Sequence, residues 1–209
     1  MTTVERLSKA IFDFAYEMAM KDATLQNAYE GEKKWIAGVG GAKNAVRDYI
    51  DKVFEGFKNQ EAHDQFFYYT VDRACAVIND ARPDDGKSEF TFGNAQKLIN
   101  MTAKYMYITS YQNPGLRERF SYCHCPVDSY MLADVWEASE ESLKNKDYNK
   151  TRFTVSWSKE KKDPDLTGIA RYLDFQSAVR ELAGKDGLSP IEYDYLHWAE
   201  AKANSEGNK

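Results

Sequence analysis

The chain has 209 residues, 43% of them apolar and 29% charged, with a formal net charge of -5 and a sequence pI near 5.4. That composition fits one globular domain with ample chain to bury a core, and lies well away from intrinsic disorder. The acidic balance argues against holding nucleic acid by bulk charge, no apolar run approaches the roughly 20 residues of a membrane span, and the N-terminus mixes acidic residues into its apolar pattern, unlike a secretory signal.

Helical periodicity runs through nearly the whole chain. Thr2 with Glu5 forms a capping box, and Leu7, Ile11, Phe14 and Met18 follow as an apolar stripe. The break Gly38-Val39-Gly40-Gly41 opens a second helix carrying Ala45, Tyr49, Val53 and Phe57. A third carries Phe67, Val71, Ala74 and Ile78 and stops at the turn cluster Asp80–Gly86. The fourth carries Leu98, Met101, Tyr105 and Ile108 and ends before Asn113-Pro-Gly115. Pro126 suits the first turn of a fifth, whereas Thr151–Trp157 reads as the one extended segment. A helix with Ile169, Tyr172, Phe175, Val179 and Leu182 follows. The last opens at Ser189-Pro190-Ile191-Glu192, an N-cap, a proline and an acidic third position, and its tail from Ala203 is expected to fray. The spacing thus predicts a single all-α domain with helices over 3–22, 42–58, 61–80, 93–111, 127–139, 167–183 and 190–203.

Three cysteines, Cys75, Cys123 and Cys125, are an odd set, with two too close to bridge, which argues for free thiols and a reducing cytoplasm. Charge is uneven. Residues 140–163 hold seven Lys and Arg against five Asp and Glu, a local +2, leaving -7 elsewhere. Within this segment Lys144, Lys146, Lys150, Arg152 and Lys159 are candidate contacts to a phosphate backbone, set against a solvated loop of mixed charge.

The most informative run is Phe90–Ile108 followed by Tyr122–Trp136. Lys97 lies on a strongly apolar helix, and a lysine among apolar neighbours has its charged form disfavoured, leaving the free amine as a nucleophile. Asp128 follows a Cys-Pro pair at the next helix start, where the dipole and free amides favour a carboxylate that can stabilise a developing cation. Such a pair suits attack on a sugar C1′ with expulsion of a base. Gly93-x-x-x-Lys97 with its apolar continuation, then Pro126-Val127-Asp128-Ser129, resembles the lysine and P-V-D-[ST] elements of helix-hairpin-helix base-excision DNA glycosylases. The resemblance covers about a fifth of the chain. It implies an all-α fold acting on a flipped base, with Lys97 as nucleophile and Schiff-base former and Asp128 as the essential carboxylate. It implies no cofactor.

Cys123-His124-Cys125 is a second constellation. With Cys75, His63 or His197 it could supply zinc ligands, but it lacks the spaced pair of C-x-x-C motifs, so no metal is expected. Cys125 at a helix start could instead be a thiolate with His124 or His197 as base, set against cysteines packed as small hydrophobes. The 14 Tyr, 11 Phe and 4 Trp include Tyr68, Tyr69, Tyr105, Tyr107, Tyr111, Tyr122 and Tyr130, rings able to stack bases or anchor a protein interface. The partner expected is therefore nucleic acid or, alternatively, a basic nucleic-acid-binding protein. In the second case the chain is a non-enzymatic, acidic, Tyr-rich binder of the kind a phage or mobile element would use to inhibit a host protein.

Overall fold

A computed structural model describes residues 2–24, 40–81, 89–154 and 167–207. All the regular elements among them are helices: α1 (Thr3–Thr24), α2 (Gly40–Glu55), α3 (Gln60–Asp80), α4 (Phe92–Ser110), α5 (Pro114–Glu118), α6 (Ser129–Lys144), α7 (Lys150–Phe153), α8 (Thr167–Lys185) and α9 (Pro190–Gly207). The fold is all-α, as the periodicity predicts.

Local signals set most of the boundaries. Thr2 and Glu5 form the reciprocal cap of α1, with Thr2 N donating to Glu5 Oε2 at 2.6 Å and Glu5 N to Thr2 Oγ1 at 3.2 Å. Ser189 and Glu192 repeat the device at α9. Thr91 and Asn94 form a third at α4. Gly56, at φ 94°, stops α2 by taking a left-handed conformation that L side chains resist.

Helix α4 is the hub. It packs along the length of α1 and also meets α2, α3 and α5, while α6, α8 and α9 pack against one another. The buried face of α1 is not the predicted one. Phe12, Ala15, Tyr16, Ala19 and Ala23 are buried, whereas Leu7 is 61% and Phe14 66% exposed. Alanines at four-residue spacing let two helix backbones approach closely, which the larger stripe would not allow. The core stripes predicted for α3 and α8 are buried as read, except Ile169, which is half-buried.

Other expectations change. Residues 127 and 128 are not helical: Asp128 is the N-cap of α6, which runs on to Lys144 with a kink at Ser139. Thr151–Phe153 belong to the single turn α7, not to an extended segment, and 155–157 lie outside the described residues, as do Gly38 and Val39. Helix α9 continues to Gly207, past the expected fraying point. Asn113 caps α5, an element the sequence did not announce. Of the seven tyrosines read as surface rings, Tyr69 and Tyr111 are exposed and Tyr107 is buried.

Between α5 and α6 the chain runs without regular structure from Cys123 to Asp128, and Cys123 through Val127 are all buried. A buried backbone with no ladder or helix partner must find hydrogen bonds elsewhere. Two glutamines supply them. Gln176 of α8 clamps Cys125, its Oε1 accepting from Cys125 N at 3.0 Å and its Nε2 donating to Cys125 O at 2.8 Å. Gln96 of α4 clamps Val127 more loosely, at 3.5 and 3.4 Å. Asn100 donates to Gln96 Oε1 at 3.1 Å, which fixes the orientation of that amide.

Gln176→Ala leaves a buried N–H and a buried C=O unpaired and is expected to cost about 2–4 kcal/mol of unfolding free energy. Gln65→Ala on the exposed face of α3 should change it by less than about 0.5 kcal/mol. Urea denaturation of both variants checks this.

Candidate functional site

The 123–128 strap delivers two side chains to two polar centres. At its C-terminal end, Asp128 divides its oxygens. Oδ1 accepts from the N–H groups of Tyr130 and Met131 at 3.0 and 3.1 Å and so caps α6. Oδ2 accepts from Trp198 Nε1 of α9 at 3.0 Å and lies 3.9 Å from Lys97 Nζ of α4. Lys97 and Asp128, 31 positions apart, are therefore brought together, with their side chains 22% and 17% exposed. Tyr130 sets its edge against the Trp198 ring at 5.9 Å.

Two turns further along α4, Lys104 pairs with Asp194, which lies one turn before Trp198 on α9. The Lys104 ammonium also sits 4.6 Å from the centre of the Tyr195 ring. Asp194 is almost wholly buried. Desolvation pushes its carboxyl up to about 6, against the pull of Lys104, and the Asp128 charge adds to the rise. Two lysine–carboxylate pairs thus stand in register between α4 and the strap and α9.

At its N-terminal end the strap carries His124 into a closed cluster. Both His124 Nε2 and His63 Nδ1 face Asp64 Oδ1, at 2.9 and 3.0 Å. Gln60 Nε2 donates to the same oxygen at 2.6 Å. The far nitrogens meet phenols: His63 Nε2 lies 2.8 Å from Tyr49 OH, and His124 Nδ1 lies 2.9 Å from Tyr172 OH. Burial lowers the pKa of both rings, that of His124 to about 3, in spite of Asp64. Burial alone would raise the Asp64 carboxyl, but the hydrogen bonds from His124, His63 and Gln60 overcome it and hold the group well below the usual carboxylate range. Neutral imidazoles beside an ionised carboxylate are the result at neutral pH.

Cys123 and Cys125 are fully buried, a setting that disfavours a thiolate. Burial pushes Cys123 up to about 12 and raises Cys125 as well. His197 stacks on Tyr193 at 3.9 Å and lies 3.6 Å from Asp134, away from the Cys-His-Cys run. The sequence grouped His124 with its neighbouring cysteines and with Cys75, His63 or His197; the fold sets it against His63 and Asp64.

The candidate phosphate contacts lie elsewhere. Helix α6 has 16 residues, about 24 Å of axis, so Lys144 stands at the far end from Asp128. Lys144 pairs with Glu140 at 2.7 Å, Lys146 with Asp174 at 2.6 Å and Lys150 with Glu137 at 3.3 Å. Arg152 is part of α7, but its side chain and all of Lys159 fall outside the described residues. A groove of about 1280 Å³ is lined by Tyr107, Tyr111, Arg117, Arg180, Glu192 and Leu196 among others. It opens at the C-terminal half of α4, three to four turns from Lys97. Trp198 hydrogen-bonds Asp128, and Tyr130 packs against Trp198. No helix among the described residues is long and apolar enough to cross a membrane.

Asp194 provides a pH signature. Its carboxyl holds a proton more tightly in the fold than in the unfolded chain, so its contribution is full below about pH 4 and is lost as pH rises through about 6. Between pH 4 and 7 the native protein should lose roughly 1–3 kcal/mol of stability relative to Asp194→Asn. Urea titrations of the two proteins at stepped pH measure the difference.

No protein-family model matches the chain, and no curated protein or solved structure matches it either.

Proposed function

We propose that Lys97 and Asp128 form the working pair of a helix-hairpin-helix glycosylase-like site acting on a base turned out of nucleic acid. One observation carries the reading: two residues singled out from separate sequence motifs lie 3.9 Å apart in a half-open site on three different elements. In the reaction, Lys97 first gives its ammonium proton to solvent; its nitrogen lone pair then bonds to the sugar C1′ while the glycosidic C–N bond breaks, the electron pair leaves with the base, and the base takes up the proton released from the newly bonded nitrogen. Asp128, fixed by two backbone N–H groups and Trp198, stabilises the positive charge that develops on the sugar. Trp198 and Tyr130 offer apolar faces for the extruded base.

A second reading, an acidic protein-binding module, rests on a separate observation. Lys144, Lys146 and Lys150 are each matched by a carboxylate, while Val4, Leu7 and Phe14 expose an apolar stripe on α1. Such a face suits a protein partner better than a phosphate backbone.

Borohydride trapping on duplex DNA carrying one abasic site tests the first reading. A covalent adduct should form with the native protein and disappear in Lys97→Ala. No adduct, or one that survives Lys97→Ala, overturns the covalent mechanism and leaves the binding reading.

A further inference from the structure

His63, Asp64 and His124 are the one group of at least three histidine, cysteine or acidic residues among the described residues whose donor atoms converge, all within 4.8 Å of one another. We propose that this cluster is a binding site for a divalent first-row transition ion of the zinc class, held by His63 Nδ1, His124 Nε2 and a carboxylate oxygen of Asp64. It is independent of the Lys97–Asp128 reading.

The geometry carries it. Metal–ligand bonds of about 2.0–2.2 Å place neighbouring donors roughly 3–3.5 Å apart. Asp64 Oδ1 lies 3.0 Å from His63 Nδ1 and 2.9 Å from His124 Nε2, and the three donor atoms lie within 4.8 Å of one another, so the two imidazoles draw slightly together to share one ion. Two neighbouring residues on α3 supply one imidazole and the carboxylate, and the strap, 60 positions away, supplies the other imidazole.

The outer shell fits too. A metal-bound imidazole gives its second N–H to an acceptor, which fixes the ring. Tyr49 OH and Tyr172 OH are placed for this, at 2.8 and 2.9 Å. If Tyr49 accepts from His63 in this way, its own proton can go to Cys123 Sγ, 3.6 Å away.

The surroundings are asymmetric. His63 and His124 are fully buried among Phe57, Phe67 and Tyr172, and Asp64 is 19% exposed. An ion would enter past Asp64 and keep an open position on that side. Asp64 supplies the one negative charge among the three ligands. Two imidazoles with one carboxylate suit zinc, and also iron(II). Calcium and magnesium, which require oxygen donors, are excluded.

The full chain, stripped with a chelator and titrated with cobalt(II), should take up one equivalent with visible d–d bands that zinc displaces. The chain has three histidines, so zinc-edge X-ray absorption on the His197→Gln variant should still report two imidazole ligands. Asp64→Asn should weaken zinc binding by roughly hundredfold or more, and Tyr172→Phe, which leaves all three ligands in place, by about 10–100-fold. Absence of cobalt bands from the native chain, or an absorption edge without two imidazoles, overturns the proposal and leaves the cluster a hydrogen-bonded lock.

Discussion

The structure depends on keeping five residues of unwound backbone, Cys123 to Val127, inside a helical core. Helices satisfy their own amides, so helices can be buried freely; an unwound run must find most of its partners elsewhere. Gln176 and Gln96 stand in for the missing partners, each presenting an acceptor and a donor to one residue of the strap. An amide side chain matches a peptide group in this way, whereas a carboxylate or an ammonium offers only half of the match. Without those two clamps the buried strap would leave polar groups unpaired at a cost comparable to a large share of the stability of an ordinary domain.

The clamps belong to a longer chain of polar contacts. From Val127 it passes through Gln96 and Asn100 to Tyr172, and from Tyr172 through His124, Asp64 and His63 to Tyr49. Four helices and the strap are tied by it. The aromatic rings serve this network as walls: Phe67 lies parallel to Tyr172 at 5.6 Å and edge-on to His124 at 4.7 Å. Burial of this kind strengthens every satisfied hydrogen bond and penalises every unsatisfied one. It also separates the titration of neighbouring groups, lowering both histidines while their bonds to Asp64 keep that carboxylate ionised.

Both candidate sites are consequences of where the strap ends. Asp128 can face Lys97 because its other oxygen is occupied in capping α6, which leaves the side chain a single orientation. His124 can face Asp64 because Cys125, next in the chain, is held on both sides by Gln176. The two sites differ in access. Lys97, Asp128 and Trp198 meet at a half-open junction of α4, α6 and α9, whereas His63 and His124 are sealed and only the edge of Asp64 reaches solvent.

Much of this was legible in the residues alone. Helix class, caps and most boundaries follow from local chemistry: Thr2 with Glu5 and Ser189 with Glu192 act within one turn, and apolar spacing reports burial wherever a helix has one inner face, as α3 and α8 do. Lys97 and Asp128 could be picked out because each sits in a distinctive local setting. What failed did so for a tertiary reason. The inner face of α1 is its alanine stripe, because a close partner rewards small residues over large ones. Residues 127 and 128 read as helix because nothing local shows that distant glutamines will satisfy an extended backbone. His63 and His124 could be grouped from their residue types as candidate zinc ligands, but Asp64 could not be placed with them, since the two halves of the cluster lie 60 positions apart. The sequence by itself determined which segments are helical and which side chains could do chemistry. Only the tertiary structure decided which of them meet, because that depends on where a buried, unwound strap finds partners for its amides.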